Sequence, residues 1–298
     1  MNYILHLFVM FEIYLMLGLS LNLLLGYLGL LSLAHAVFYG VGAYISALLM
    51  IRLGMNFFFT LPFSALGCMV LALIIALPSL RLKDDYFMLA TLAFQSLVFS
   101  IFYNWTSVTR GPYGITGIPS PQLFGYKVSE IWQFCVLGFI FSAAAIYVCK
   151  KIHASPFGRT LKAIRDDELL AVSLGKNAAK FKVSAFVIAG GIAAIAGAMI
   201  APYISYIDPT CFALDESFFI ITIIVIGGTG NLKGPVIGTF LILLIPEILR
   251  FLSIPDAAAA NIRQIIYGLL LILMLRLRPQ GILGEYGLNK ILSPYAQT

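Results

Sequence analysis

An all-α, polytopic helical membrane protein is the fold class this 298-residue sequence predicts, and three observations predict it. Hydrophobic residues make up 61% of the chain and charged residues only 11%, whereas soluble domains carry about a quarter charged residues. Apolar runs of roughly 20 residues, the length a spanning helix needs, recur from one end to the other. The basic residues gather in the connections between those runs, where membrane topology places them. The excess of 19 Lys+Arg over 13 Asp+Glu therefore speaks for orientation in a bilayer, and no nucleic acid partner is expected. The chain reads as a single transmembrane domain over residues 1–298 with about 8–9 transmembrane helices.

The runs are 3–25, 28–51, 57–80, 86–104, 130–149, 182–206, 215–228, 234–252 and 263–278. The first, in MNYILHLFVMFEIYLMLGLSLNLLLG, has no basic leader and is too long for a cleaved signal, so it is expected to be retained as a span. The 215–228 run is short, which suits a tilted, broken or re-entrant segment. Two runs carry small residues at helical spacing: Gly29, Ser32, Ala36, Gly40, Ala43 and Ala47 in one, and Ala185, Ala189, Ala193, Gly197 and Ala201 in the other. Such faces let helix backbones approach closely in lipid. Lys150, Lys151, Arg159, Lys162, Arg165, Lys176, Lys180 and Lys182 make their connection cytoplasmic by the positive-inside rule. Counting from there puts Arg81, Lys83, Arg276, Arg278 and the C-terminus inside, and the 105–129 and 207–216 loops outside. Nine spans place the N-terminus outside.

No built-in source of energy or chemistry is visible. GxxxxGK[ST] is absent, and GGTGNLKGPVIG (Gly227–Gly238) lacks its Lys-Ser/Thr ending, so a phosphate-cradling loop is not expected. Gly227, Gly228, Gly230 and Gly234 instead suit a tight connection at the inner membrane surface, where backbone groups must be satisfied by protein or water. His6, His35 and His153 are scattered, and Cys68, Cys135, Cys149 and Cys211 contain no CxxC. Neither a metal, a cofactor nor a disulfide framework is expected. HExxH and GxSxG do not occur, which opposes an intramembrane hydrolase. Among ionisable residues in the spans, Glu12 and Glu247 stand near span ends. A stand-alone secondary carrier, the alternative to a partner-driven transporter, would need a buried coupling charge.

The stretch SPFGRTLKAIRDDELLAVSLGK (Ser155–Lys176) is the polar exception, within a 150–181 cytoplasmic coupling segment. Ser155 suits an N-cap, Pro156 the first turn, and Gly175 the residue just past a helix end. Phe157, Leu161, Ile164 and Ala171 share one face with Glu168, whereas Arg159, Lys162, Arg165 and Asp166 point elsewhere. One reading lays this amphipathic helix or helix pair on anionic lipid headgroups, although Asp166-Asp167-Glu168 would be repelled there. The other makes it the docking element for a cytoplasmic partner that supplies energy, with Phe157, Leu161 and Ile164 filling a groove and Arg159, Arg165 and Glu168 fixing orientation.

Six stretches, in order along nearly the whole chain, give a more specific likeness. They are GLLSLAHAVFYGVGAY (Gly29–Tyr44), LRLKDDYFMLATLAF (Leu80–Phe94), NWTSVTRGPYGITGIP (Asn104–Pro119), SPFGRTLKAIRDDELLAVSLG (Ser155–Gly175), GGTGNLKGPVIG (Gly227–Gly238) and RPQGILG (Arg278–Gly284). Together they resemble the M-type permease subunit of branched-chain amino acid ABC importers. The resemblance implies an ABC importer permease fold in a bacterial plasma (inner) membrane, a second permease subunit, two cytoplasmic ATPase subunits and an external solute-binding protein. It implies a non-catalytic subunit whose small-molecule substrate is a branched-chain amino acid, and related permeases carry urea, short amides or other small solutes. It makes Phe157, Gly158, Arg159, Leu161, Ile164, Arg165, Glu168 and Gly175 the segment that couples to the ATPase. Gly111, Pro112, Tyr113 and Gly114 then belong to an outer vestibule that meets the binding protein, and Tyr86, Thr91 and Gln95 lie near the translocation path. The sequence departs from the family pattern at Asp84, where Gly is usual, at Gln95-Ser96, where Gly-Glu is usual, and at Phe99, where Arg is usual. It departs again after Glu168, where Leu169-Leu170-Ala171 replaces x-Ala-Ala.

Overall fold

The computed structural model describes residues 2–82, 84–123, 126–251, 256–278 and 280–284. The long helices are α1 (Asn2–Leu28), α2 (His35–Arg52), α3 (Phe57–Ser79) and α4 (Asp84–Asn104). A loop follows with a short α5 (Thr106–Thr109), a 3-10 turn at Gly111–Tyr113, and the strands β1 (Ile115–Thr116), β2 (Gln122–Leu123) and β3 (Tyr126–Lys127). Then come α6 (Ile131–Ala154), α7 (Pro156–Asp166), α8 (Glu168–Ser173) and α9 (Ala178–Ile204). The chain continues through β4 (Tyr206–Ile207), a 3-10 turn at Pro209–Phe212, α10 (Leu214–Gly227), α11 (Lys233–Phe251) and α12 (Asp256–Leu277).

Seven segments among the described residues are long and apolar enough to cross a membrane: α1, α2, α3, α4, α6, α9 and Pro209–Gly227. The chain is thus a multi-pass helical membrane protein. α11 and α12 occupy the last two expected runs, and the described apolar part of α12, Gln264–Met274, is shorter than a span. Lys83, Pro279 and the C-terminal residues that the sequence placed inside lie outside the described residues.

The two small-residue faces find each other. α9 packs against α2 and α3, and the approach is so close that a methyl group at Gly42 would overlap the Ala194 backbone. One at Gly197 would overlap the Tyr39 carbonyl oxygen. In lipid, tails are as apolar as the side chains, so close backbone packing supplies the attraction. The expectation for the 28–51 run needs one correction. Its helix begins at His35, so Gly29 and Ser32 lie outside it. Gly29 takes a positive φ of 71°, Leu30 N–H bonds the Leu24 carbonyl at 3.1 Å, and the chain turns back along α1. The His35 ring then meets the Ser20 hydroxyl at 3.1 Å within the bundle.

That break leaves backbone groups at the start of α2 that water cannot reach, and side chains from α4 and α10 satisfy them. Thr91 Oγ1 accepts from Leu33 N–H at 3.1 Å, Gln95 Oε1 accepts from Val37 N–H at 3.1 Å, and Ser217 Oγ accepts from Ala36 N–H at 3.1 Å. Irregular backbone at membrane depth persists only where protein supplies such partners. The short α10 is held from the same cluster, because Gln95 donates to the Phe212 carbonyl at 2.9 Å and Ser217 to the Leu33 carbonyl at 2.7 Å.

Contacts at the helix ends sort the loops into two groups. At one end Arg52 donates to the Ser107 carbonyl at 2.8 Å, Asn56 donates to the Gln122 carbonyl at 2.6 Å, and β1 pairs antiparallel with β4, Ile115 opposite Ile207. At the other, the 150–181 segment meets the last turn of α1, where Arg165 donates to the Gly26 carbonyl at 2.6 Å. Asn2 therefore lies opposite the coupling segment, the arrangement the nine-span count expects. By the positive-inside rule, the end that carries the 150–181 segment is the one expected to face the cytoplasm.

Candidate functional site: the inner coupling surface

The 150–181 segment, expected from the sequence to couple to a partner, is a helix pair rather than one continuous helix. Ser155 Oγ accepts from Gly158 N–H at 3.2 Å and Pro156 opens α7, the start the sequence indicates. Asp167 leaves the helical region (φ −157°, ψ 102°), and its carboxylate accepts from Leu170 N–H at 2.9 Å, capping α8. Gly175 ends α8 at φ 79°, where its N–H bonds the Val172 carbonyl at 2.9 Å and Lys176 N–H bonds the Ala171 carbonyl at 3.1 Å. This paired closure satisfies the last carbonyls of the helix and requires a left-handed residue.

The face expected to dock a partner turns inward. Gly158, Leu161 and Ile164 are buried against the chain's own helices, and Phe157 stacks on Phe181 with ring centroids 5.5 Å apart. Gly158 lies so near the Ile152 carbonyl oxygen that no side chain fits there. Arg165 is bound to Gly26 and pairs with Asp166 at 3.0 Å. Lys162 lies over the Tyr27 ring at 5.5 Å, while the Tyr27 hydroxyl meets His153 Nδ1 at 2.9 Å. Glu168 pairs with Lys182 of α9 at 2.6 Å. Of the residues the family likeness singles out in this segment, Arg159, Glu168 and Gly175 are the exposed ones.

The exposed apolar surface lies one helix further on. Leu169 is 82% exposed and Leu174 73%, with Leu170 and Val172 beside them, while Ala171 alone faces inward. Asp166 and Lys176 flank this exposed apolar group in sequence, and apolar groups exposed in this way are typical of interaction surfaces. The signal stood in the sequence as Leu170, where the family motif usually has Ala.

Beside the coupling segment, the two glycine motifs form one tight platform. Ile282 N–H bonds the Ile226 carbonyl at 2.9 Å and Leu283 N–H bonds the Gly227 carbonyl at 3.0 Å. The RPQGILG stretch thereby satisfies carbonyls that the end of α10 leaves unpaired. Gly228 sits at φ 112°, and a side chain there would overlap the Gly284 backbone. Asn22 of α1 binds the same turn twice, donating to the Asn231 carbonyl at 2.7 Å and accepting from Gly230 N–H at 3.1 Å. Asn231 Oδ1 in turn accepts from Gly234 N–H at 2.7 Å.

The three residues suggested for the path part company. Tyr86 is 66% exposed on an outward face of α4, which also carries Ser96, Ser100 and Asn104. Thr91 and Gln95 are fully buried clamps on the broken start of α2. Residue type did not distinguish them, because only the unpaired N–H groups of a neighbouring segment call for them. On the outer side, Gly111–Tyr113 forms a 3-10 turn entered from Arg110 at φ 60°, Tyr113 is 85% exposed, and Gly114 packs against Ile207 and Tyr206. Burial works to raise the neighbouring Asp208 carboxyl, yet hydrogen bonds from the Thr210 hydroxyl and from the Thr210 and Cys211 N–H groups hold it below its ordinary range. The distances are 2.5, 2.6 and 3.2 Å. Glu12 is buried against Gly138 and its Oε2 has no hydrogen-bond partner, while Glu247 accepts from the Tyr3 hydroxyl.

This geometry, a glycine platform beside a capped helix pair at one end of a multi-pass bundle, can be set beside known proteins. The family described as "Branched-chain amino acid transport system / permease component" matches residues 3–275. The chain belongs to this permease family. The high-affinity branched-chain amino acid transport system permease protein LivM of Escherichia coli K12 is 31% identical over 91% of this chain and 68% of its own length. The probable LivM permease of Methanocaldococcus jannaschii is 27% identical over 92% of this chain and 91% of its own. The LivH permease of Salmonella typhimurium is 25% identical, covering 93% of each chain. No solved structure matches. As a member of this family the chain is a transport permease; the helix pair, the broken α2 and the Gly227–Gly238 side of the platform fall within the matched residues, and the Ile282–Gly284 side lies just past them.

Proposed function

We propose that this permease forms, with a second permease subunit, the translocation path of an ABC importer for branched-chain, apolar amino acids in a bacterial inner membrane. Two cytoplasmic ATPases drive it, and an external solute-binding protein delivers the solute to the Gly111–Gly114 region. The chain itself carries out no ATP hydrolysis. The observation that carries this reading is the exposed apolar face of α8 on the cytoplasmic side of a permease. Leu169, Leu170, Val172 and Leu174 are all exposed on a helix capped at both ends, and a helix seated in a groove is how exposed apolar helix residues are recognised.

The connections behind α8 give motion somewhere to go. Glu168 joins α8 to α9 through Lys182, and α7 joins α1 through Arg165 and Gly26. α1 in turn holds the α10–α11 turn through Asn22 and the start of α2 through Ser20. A shift of the ATPase is thereby passed through hydrogen-bonded and packed elements to both broken segments, the kind of contiguous network that carries coupling. Thr91 and Gln95 act here as clamps that keep the α2 break at a fixed place beside the path.

The test is co-reconstitution with the cognate ATPases, the second permease and the binding protein in proteoliposomes. ATP-dependent uptake of radiolabelled leucine supports the reading. ATP-dependent uptake of urea without leucine would move the solute to the urea and short-amide class, and leucine uptake without ATP would make the chain a secondary carrier.

A further inference from the structure

A cavity of about 560 Å³ opens between the outer ends of α1, α10, α11 and α12. Asp215 and Glu216 of α10 and Glu247 of α11 bring three carboxyl groups to its wall. Leu7, Met10, Leu243 and Pro246 line the other part, and Tyr14, Phe219 and Tyr267 join the two in a chain of edge-to-face rings 4.8 and 5.2 Å apart. Glu216 Oε1 is shut off from solvent and has no hydrogen-bond partner. Among the described residues of the wall there is neither Lys nor Arg.

His6 is the one basic side chain among the described residues of the wall, and its Nδ1 is engaged by the Tyr203 hydroxyl at 2.6 Å. Carboxyl groups gathered at membrane depth are costly, and a cation bound among them offsets that cost. A metal ion is a poor fit: among the described residues no group of three or more His, Cys, Asp or Glu is placed to hold one. The space is also many times the roughly 30 Å³ share of a single water, and more of its wall is apolar than polar. An ammonium group on an apolar body satisfies both parts of the wall at once. Gln264 at the rim adds an amide donor for the carboxylate of a zwitterion.

We infer that this outer cavity is a waypoint that takes the ammonium group of an apolar, amine-bearing solute, with Glu216 as its principal partner. As a station on a transport path it rests on the importer reading above. The purified full-length chain in lipid nanodiscs is titrated calorimetrically with isoamylamine hydrochloride, sodium 4-methylpentanoate and sodium chloride. The amine binds, and the acid and sodium do not. Glu216→Gln weakens the amine at least about tenfold, the scale of losing one partner of a desolvated charge pair. Leu243→Trp fills the cavity from its apolar side with every carboxylate intact and weakens the amine equally. Equal binding of amine and acid, a sodium signal without an amine signal, or unchanged amine affinity in either monodisperse variant overturns the inference. ATP-driven leucine uptake with an unchanged KM in Glu216→Gln removes the waypoint alone and leaves the importer standing. Amine binding that Glu216→Gln abolishes, in a transporter that carries urea but no amine, removes the amino-acid reading and leaves the amine site.

Discussion

Arg165 of α7 donates to the Gly26 carbonyl of α1 at 2.6 Å. Gly26 is in the last turn of its helix, so that carbonyl has no partner within α1, and a cation there also meets the negative end of the helix dipole. The side chain is only 10% exposed, which makes its loss costly. Arg165→Ala is expected to destabilise the protein by about 2 kcal/mol, the scale of a hydrogen bond to a charged group. Uptake should fall more than ATP hydrolysis, because α8, the surface proposed to meet the ATPase, stays in place. Thermal unfolding of the purified variant, with both activities measured after reconstitution, checks this. Unchanged stability and full uptake would show that α7 and α1 move independently.

The glycine platform makes a second prediction. Gly228 and Gly117 both have positive φ, 112° and 73°, but an added Cβ overlaps the Gly284 backbone at the first and meets open space at the second. Gly117→Ala carries the conformational penalty alone, about 1–2 kcal/mol. Gly228→Ala must also push the RPQGILG stretch off the end of α10, so it should give little monodisperse protein. Size-exclusion profiles of the two variants compare them directly, and equal yields would mean the two motifs need not touch.

On the outer side, the depressed Asp208 carboxyl links stability to pH. Its folded value lies below its unfolded one, so the turn at Pro209–Phe212 gains stability that is present above the unfolded pKa. That stability is lost as pH falls through the folded value. Asp208→Asn should therefore lower the melting temperature at neutral pH and converge with the parent protein in acid. Melting curves from neutral pH down through the carboxylate range report this, and a gap that widens toward low pH has the wrong sign.

Much of this was legible in the sequence because it rests on local chemistry. Ser155, Pro156 and Gly175 announce their caps through residue type, and the small-residue faces of α2 and α9 through spacing. The break before α2 was not legible, since Leu30, Leu31 and Leu33 read as a continuing apolar run. Only the side chains of Thr91, Gln95 and Ser217, distant in sequence, reveal that backbone groups there need partners. The inward turn of Leu161 and Ile164 was hidden for a similar reason. An amphipathic pattern shows that a helix has an apolar face, not whether its own chain or a partner covers it.

That distinction bears on the central claim, that α8 meets the ATPase while α7 holds the permease together. The direct measurement is binding of the purified ATPase to the nanodisc-reconstituted permease, in Leu170→Asp/Leu174→Asp and in Leu161→Ala. The α8 variant should keep its melting temperature and lose binding about tenfold or more, as loss of an interface hot spot does. Leu161→Ala, which empties a fully buried site, should lose about 2–5 kcal/mol of stability while whatever remains folded binds normally. The reverse pattern, full binding by the α8 variant and a specific loss of binding in a stable Leu161→Ala protein, would contradict the account.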